Sequence, residues 1–108
     1  MNTIVVNNDT PQFVSWLAGV EKISVDYATA NYPNIPKPTF EASFGTRYVR
    51  VFRSSNCGHS AHAFVDRTNG DVLKPATFRA PAKHARGNIF DPQNGLGSMG
   101  EYGPAYLR

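Results

Sequence analysis

The sequence contains little cysteine and no long hydrophobic run. Cys57 is the one cysteine in 108 residues, so no disulfide can form within the chain, and packing must stabilise the fold, as is usual in a reducing compartment. Apolar runs extend over only a few residues, whereas a membrane-spanning helix needs about 20. The chain becomes polar directly after Ile4–Val6, unlike a secretory signal peptide. These absences predict a cytoplasmic protein that does not enter the membrane.

Motifs for catalysis and for cofactor binding are also absent. Neither GxGxxG nor GxxxxGK occurs, so the sequence contains no phosphate-binding glycine loop. Carboxylates are few, and Asp66 and Asp71 form no recognisable acid/base pair. Cys57 lies near His59 in a turn, but no flanking signature marks it as a nucleophile. We therefore predict no catalytic residues, no cofactor and no enzymatic activity.

One cluster has the residue types of a metal site. Cys57, His59 and His62 are spaced as Cys-x-His-x-x-His, and thiolate and imidazole are preferred zinc ligands. In a strand over 59–66, however, the two histidines point to opposite faces. A structural zinc site needs four ligands, and His84 is the one other cysteine or histidine in the chain. The sequence therefore predicts no metal site.

The residues that are present suit one packed domain with an uneven charge. Hydrophobic residues make up 41% of the chain and aromatic residues 12%, which indicates a single domain over residues 1–108. Residues 47–86 contain eight basic and two acidic residues, a net charge of +6, whereas residues 1–46 and 87–108 are slightly acidic. Such a basic segment favours a polyanionic partner, although a solvated surface explains it equally well.

The pattern over residues 10–32 predicts an amphipathic helix. The Thr10 hydroxyl can cap it, and Pro11 suits its first turn. Gly19 marks a place where another element crosses closely. The prolines at 33–38 end the helix and make a stiff connector. Apolar residues recur at helical spacing at Phe13, Trp16, Leu17, Val20, Ile23 and Tyr27.

From residue 39 onward the pattern predicts an antiparallel meander of three or four strands. Apolar and polar residues alternate with a period of two through residue 52, which predicts strands, and a turn follows at 54–58. A returning strand covers 59–66. Asn69-Gly70 then forms a second turn before a strand at 72–74. Residues 1–6 form a short strand or an ordered arm. We thus predict an α+β fold, one amphipathic helix packed on a small antiparallel sheet with an irregular Pro/Gly-rich carboxyl segment. In that segment we expect a helical turn at 80–86, an exposed loop at 94–103, and anchoring by Tyr102, Tyr106 and Leu107.

Two groups of residues suggest a nucleic-acid site. Alternation along 47–54 places Tyr48, Arg50 and Phe52 on one face, beside His62 and Phe64 of the next strand, and Arg47, Val49, Val51 and Arg53 on the other. Aromatic rings beside arginines are typical of sheets that bind single-stranded nucleic acid, but core packing with arginines at an edge is the alternative. A second basic group follows at 83–86. The hypothesis assigns phosphates to Arg50, Arg53, Arg79, Lys83 and Arg86, stacking to Tyr48 or Phe78, and includes His84.

A second hypothesis is a protein-interaction or host-modulating module. In that case the apolar side chains around Phe78 and Phe90 would contact another protein or a second copy of the chain.

A resemblance to a known group of proteins rests on the hairpin and on the residues that follow it, 70–91, with the sequence GDVLKPATFRAPAKHARGNIFD. Residues 64–91 resemble small uncharacterised proteins encoded by tailed bacteriophages. The resemblance implies a viral origin and action in the cytoplasm of an infected bacterial cell. It implies no particular activity. The two hypotheses above leave a nucleic acid, a host or viral protein, or a second copy of the chain as the partner.

Overall fold

The computed structural model describes residues 4–55, 58–97, 99–100 and 103–104. They form one helix, a five-stranded antiparallel sheet of order β1-β2-β3-β4-β5, and a separate two-stranded sheet. The predicted α+β fold is confirmed. None of the helices in the described ranges is long and apolar enough to cross a membrane. The elements are α1 (Pro11–Asn31), β1 (Thr39–Phe44), β2 (Tyr48–Ser55), β3 (Gly58–Asp66), β4 (Asp71–Leu73), β5 (Gly87–Asn88), β6 (Met99–Gly100) and β7 (Gly103–Pro104).

Helix α1 packs its apolar stripe against the five-stranded sheet. Phe13, Trp16 and Val20 are buried in one core cluster with valines of β2, β3 and β4. The predicted cap is wrong in one respect, because the Thr10 hydroxyl makes no hydrogen bond to the first turn of the helix. It accepts one from the Asn7 N–H at 2.8 Å instead. The helix therefore begins at Pro11 without a side-chain cap.

Gly19 marks a close crossing, as the sequence predicts. A Cβ atom there would lie 2.5 Å from a methyl carbon of Leu96. The same segment corrects another prediction, because residues 94–96 are not part of an exposed loop and β6 pairs with β7 farther along the predicted loop. Asn94 donates to the carbonyls of Gln12 at 2.9 Å and Ile89 at 2.7 Å, and Leu96 packs against the core. The segment from Asn94 to Leu96 thus closes one end of the core.

The five-stranded sheet has a covered face and an open face. The covered face packs on α1 and carries Val49 and Val51 of β2, Val65 of β3 and Val72 of β4. The open face carries the alternate residues, and in the described part of the chain it is partly overlaid by residues 74–86, which we name the basic loop. The open face is therefore where side chains of β2 reach solvent.

The basic loop differs from the predicted helical turn at 80–86. Pro75 and Pro81 form an antiparallel bridge, and the Ala82 N–H donates to the Lys74 carbonyl at 2.7 Å, so the segment folds back like a hairpin. It then enters β5, which pairs with β4 and adds a fifth strand to the predicted meander.

Residues 4–6 form the ordered arm that the sequence allows, and residues 1–3 lie outside the described residues. Backbone N–H groups of Val5 and Val6 donate to the Arg67 carbonyl at 2.8 and 3.2 Å, and the Arg67 guanidinium donates back to the Val6 carbonyl at 3.0 Å. Tyr102, Tyr106 and Leu107, predicted as anchors, lie outside the described residues.

Candidate functional site

Three aromatic rings, Phe52, His59 and Phe78, meet on the open face and are named here the aromatic cluster. The ring centroids of Phe52 and His59 are 4.7 Å apart with an interplanar angle of 26°, and those of Phe52 and Phe78 are 5.3 Å apart. His59 is exposed, and Phe78 keeps 45% of its surface accessible. The cluster thus leaves part of its ring surface accessible to solvent.

A β-bulge determines which histidine joins this cluster. The pairing of β2 with β3 shifts between Val51 and Phe52, so Val51 lies opposite Ala63 and Phe52 opposite Ala61. His62 is the extra residue, and its ring contacts Phe40 at 4.9 Å between centroids. The expectation that His62 accompanies Tyr48, Arg50 and Phe52 is therefore wrong. Directly paired residues share a face of the sheet. Because the extra residue shifts the alternation of β3 by one position, His59 lies on the face that carries Phe52, and His62 does not.

His62 is instead enclosed on the helix side of the sheet. Only 2% of its surface is exposed, and its Nε2 atom makes no hydrogen bond. Burial, together with the smaller effect of the Arg53 and Lys74 charges, lowers the pKa of His62 to about 4. The two histidines thus face opposite sides of the sheet, as predicted. Over the described ranges, no three His, Cys, Asp or Glu side chains are arranged to hold a metal ion, and Cys57 lies outside those ranges.

Arg50 connects the strand to the basic loop. Its guanidinium carbon lies 4.6 Å from the ring centroid of Phe52 and 5.2 Å from that of Phe78. One terminal nitrogen donates to the Phe78 carbonyl at 3.2 Å. A guanidinium over ring faces gains cation–π attraction while its remaining N–H groups stay able to donate. Arg50 therefore places a positive charge inside the aromatic cluster.

Tyr48 forms a second aromatic position on the open face. Its ring meets Phe64 edge-on at 6.4 Å, and Phe64 itself is 2% exposed, so the core alternative holds for Phe64. Arg47 lies over the Tyr48 ring at 5.2 Å and pairs with Asp66 at 3.1 Å. Burial opposes ionisation of Asp66, but hydrogen bonds from Thr68 and Arg47 outweigh it and hold the Asp66 pKa below its ordinary value. Asp66 therefore keeps Arg47 beside Tyr48.

The basic loop presents three side chains to solvent. Arg79, Lys83 and His84 are exposed, and their side chains make no hydrogen bond or ion pair within the described ranges. Arg86 differs, since one guanidinium nitrogen donates to the carbonyls of Lys83 at 2.7 Å and His84 at 2.6 Å. It holds the turn in which His84 adopts a φ of 71°. Arg86 thus stabilises the loop that carries the other basic residues.

The predicted site residues consequently separate into three groups. Arg53 lies opposite Phe40, on the covered side of the sheet, away from the aromatic cluster. Arg86 is engaged by its own loop. The structure brings the remaining six to the open face and its overlying loop: Tyr48, Arg50, Phe78, Arg79, Lys83 and His84.

Two residues of this surface were missed from the sequence. His59 reaches the open face through the bulge, which leaves no clear mark in the sequence. Arg47 precedes β2, so the alternation used to place it on the other face does not apply.

The fold and site together define an α+β protein in which a helix covers one face of an antiparallel sheet and aromatic and basic side chains occupy the other. Residues 5–102 match a family of unknown function, DUF7717, and the chain belongs to that family. No curated protein and no solved structure matches the chain. The match does not test the resemblance to bacteriophage proteins, which stays a hypothesis.

Proposed function

We propose that this protein binds single-stranded nucleic acid, without strong sequence preference, on the open face of its sheet. The observation that carries the proposal is the aromatic cluster with Arg50 among its rings. Unpaired bases stack on exposed aromatic rings whatever their identity, and each such contact contributes about 1–3 kcal/mol. A duplex keeps its base faces stacked inside the helix, so the same surface would bind it less well.

Charge around the aromatic cluster supports the proposal. Arg79, Lys83 and His84 project from the basic loop beside the open face, and none is neutralised by a carboxylate in the described part of the chain. Phosphates of a strand that stacks on Phe78 would pass close to these residues. Contacts of this kind release counterions, so affinity falls as salt rises.

The proposal is one of binding without catalysis. It places the protein in the cytoplasm of an infected bacterial cell, as the resemblance to bacteriophage proteins implies, with the strand held by the six residues at the open face and by His59. Neither a cofactor nor a metal ion is needed for stacking and charge pairing.

Fluorescence anisotropy with labelled single- and double-stranded DNA and RNA tests the proposal. We expect micromolar binding of single strands at low salt, weaker binding of duplex, and a slope of log affinity against log salt of about −0.7 for each phosphate contact. Lys83→Glu should weaken binding, whereas Lys22→Glu, an exposed site on α1, should not. Absence of binding at low salt would refute the proposal.

A protein-interaction module is the second candidate. Phe78 and Phe90 are 45% and 43% exposed, and such rings also suit a protein partner. Phe90 lies at a separate position, against Gly70 and in a cleft with Pro11 of α1. Phe90→Ala therefore separates the two candidates. It should leave nucleic-acid binding unchanged, but it should weaken binding to a protein partner, which depends little on salt concentration because the contact is apolar.

A further inference from the structure

A cleft on the open face is lined by three guanidinium groups. Its volume is about 230 Å³, and we name it the arginine cleft. Its lining comprises Ser43, Gly45, Thr46, Arg47, Tyr48, Arg50, Phe64 and Arg79. No carboxylate belongs to this lining, and three hydroxyl groups do, those of Ser43, Thr46 and Tyr48. Planar guanidinium forks and hydroxyl donors are the groups with which proteins bind phosphate.

The donors of the arginine cleft are not all used within the protein. The Nε atom of Arg50 is buried and makes no hydrogen bond. The Arg79 side chain has no hydrogen-bond or ion-pair partner among the residues that the structure describes. Arg47 shares its guanidinium with Asp66 through Nε and one terminal nitrogen, at 3.3 and 3.1 Å. Arg79 is therefore the guanidinium of this cleft that can bind a phosphate without giving up a contact within the described part of the protein.

A second cleft adjoins the first and has a different chemistry. It encloses about 380 Å³, shares Arg47 and Tyr48 with the arginine cleft, and we name it the mixed cleft. Its remaining walls combine apolar and polar side chains: Asp66, Asn69, Asp71, Leu73, Pro81, Ala82, Lys83, His84 and Ala85. Such a lining can pack on a planar ring and also accept hydrogen bonds at its edge.

Asp71 supplies an acceptor in the mixed cleft. Its Oδ1 atom accepts a hydrogen bond from the Asn88 amide at 3.0 Å, and no other hydrogen bond reaches its carboxylate within the described ranges. Exocyclic amino groups of nucleobases are donors that a carboxylate accepts. Asp71 can therefore bind a base edge while it keeps its bond to Asn88.

We infer that the two clefts hold one nucleotide of the bound strand, with its phosphate in the arginine cleft and its base in the mixed cleft. Tyr48, which belongs to both linings, lies beside the sugar and base. The inference rests on the proposed function and adds a defined subsite to it. A nucleoside 5′-monophosphate should consequently bind the protein by itself.

Titration of the full chain with AMP, adenosine and inorganic phosphate, followed by calorimetry or NMR, tests the subsite. We expect AMP to bind about tenfold more tightly than either component, because it keeps both sets of contacts. Arg79→Gln should weaken AMP and phosphate but not adenosine. Asp71→Asn, which retains the acceptor for Asn88, should weaken AMP and adenosine but not phosphate. Lys22→Gln serves as the control, and thermal melts establish that each variant folds.

The possible failures are distinguishable. If oligonucleotides bind but AMP does not, the subsite is wrong and the proposed function stands. If phosphate binds as tightly as AMP, the base does not enter the mixed cleft, which also overturns the inference. If neither AMP nor oligonucleotides bind, both proposals fail.

Discussion

The two faces of strand β2 use adjacent residues for different purposes. Val49 and Val51 are completely buried against α1, whereas Tyr48, Arg50 and Phe52 are half-buried on the open face. An ordinary two-layer domain would carry polar side chains on its solvent face, because exposed rings gain little from folding. Half-exposed aromatic side chains there are what the proposed stacking of unpaired bases requires. The comparison teaches that the covered face maintains the fold and that the open face is available for binding.

The largest expected difference between the faces is in stability. Trp16 is 0% exposed under the covered face, and Trp16→Ala should lower the free energy of unfolding by about 3–5 kcal/mol through lost burial and a cavity. Phe78→Ala on the open side should lower it by less than about 1 kcal/mol. Urea denaturation measures both. A Phe78 variant as unstable as the Trp16 variant would show that the aromatic cluster is part of the core.

A second prediction concerns the pH dependence of the covered face. The pKa of His62 is lowered to about 4 by burial and by Arg53 and Lys74, so the unfolded chain takes up this proton near pH 6.5 and the folded chain does not. Stability should therefore be complete above about pH 6.5 and fall by roughly 3 kcal/mol as the pH drops to 4.

Denaturation midpoints at several pH values measure this loss, and His62→Leu should remove it. Asp66 and Asp91 act in a different range, because hydrogen bonds hold their folded pKa values below the ordinary one. Their contribution is lost only at still lower pH. A His62→Leu protein with an unchanged slope between pH 6.5 and 4 would contradict the assignment.

The helix and the first four strands could be predicted because their patterns are long and locally determined. Phe13, Trp16 and Val20 recur at helical spacing, and Asn69-Gly70 supplies a left-handed glycine with a φ of 85°. The two-residue strand β5 has no periodicity of its own. It forms because the basic loop returns the chain to β4, where Gly87 also meets Gly95 closely. Tertiary contacts of this kind cannot be read from local patterns.

The candidate site was predictable only in its residue types. Alternation along β2 correctly grouped Tyr48 with Arg50, and the basic loop was recognised by composition. One extra residue in β3 reverses the side-chain alternation beyond it, because alternation has a period of two. The open face therefore carries His59 where alternation alone predicted His62. Arg86 has the charge of a phosphate ligand, but carbonyl groups of its own turn bind it. Such local competition is visible only in three dimensions.

The third prediction compares two arginines of one strand. Arg50 lies on the open face among the rings, and Arg53 lies opposite Phe40 on the covered side. Arg50→Gln should weaken single-strand binding about tenfold, because it removes a charge-assisted phosphate contact and the cation–π contact. Arg53→Gln should change it less than about twofold. Anisotropy titrations at one salt concentration give the ratio, and equal losses in the two variants would refute the division between faces.

The smallest expected effect comes from an acidic residue on the open face. Glu41 pairs directly with Phe52 across β1 and β2 and is exposed, so it would repel a strand stacked on the aromatic cluster. Glu41→Gln should therefore strengthen binding about two- to threefold at low salt and have almost no effect at high salt, where exposed charges are screened. Glu21→Gln, an exposed site on α1, is the matched control. Equal gains in both variants would mean that net charge alone, and not the position beside Phe52, determines affinity.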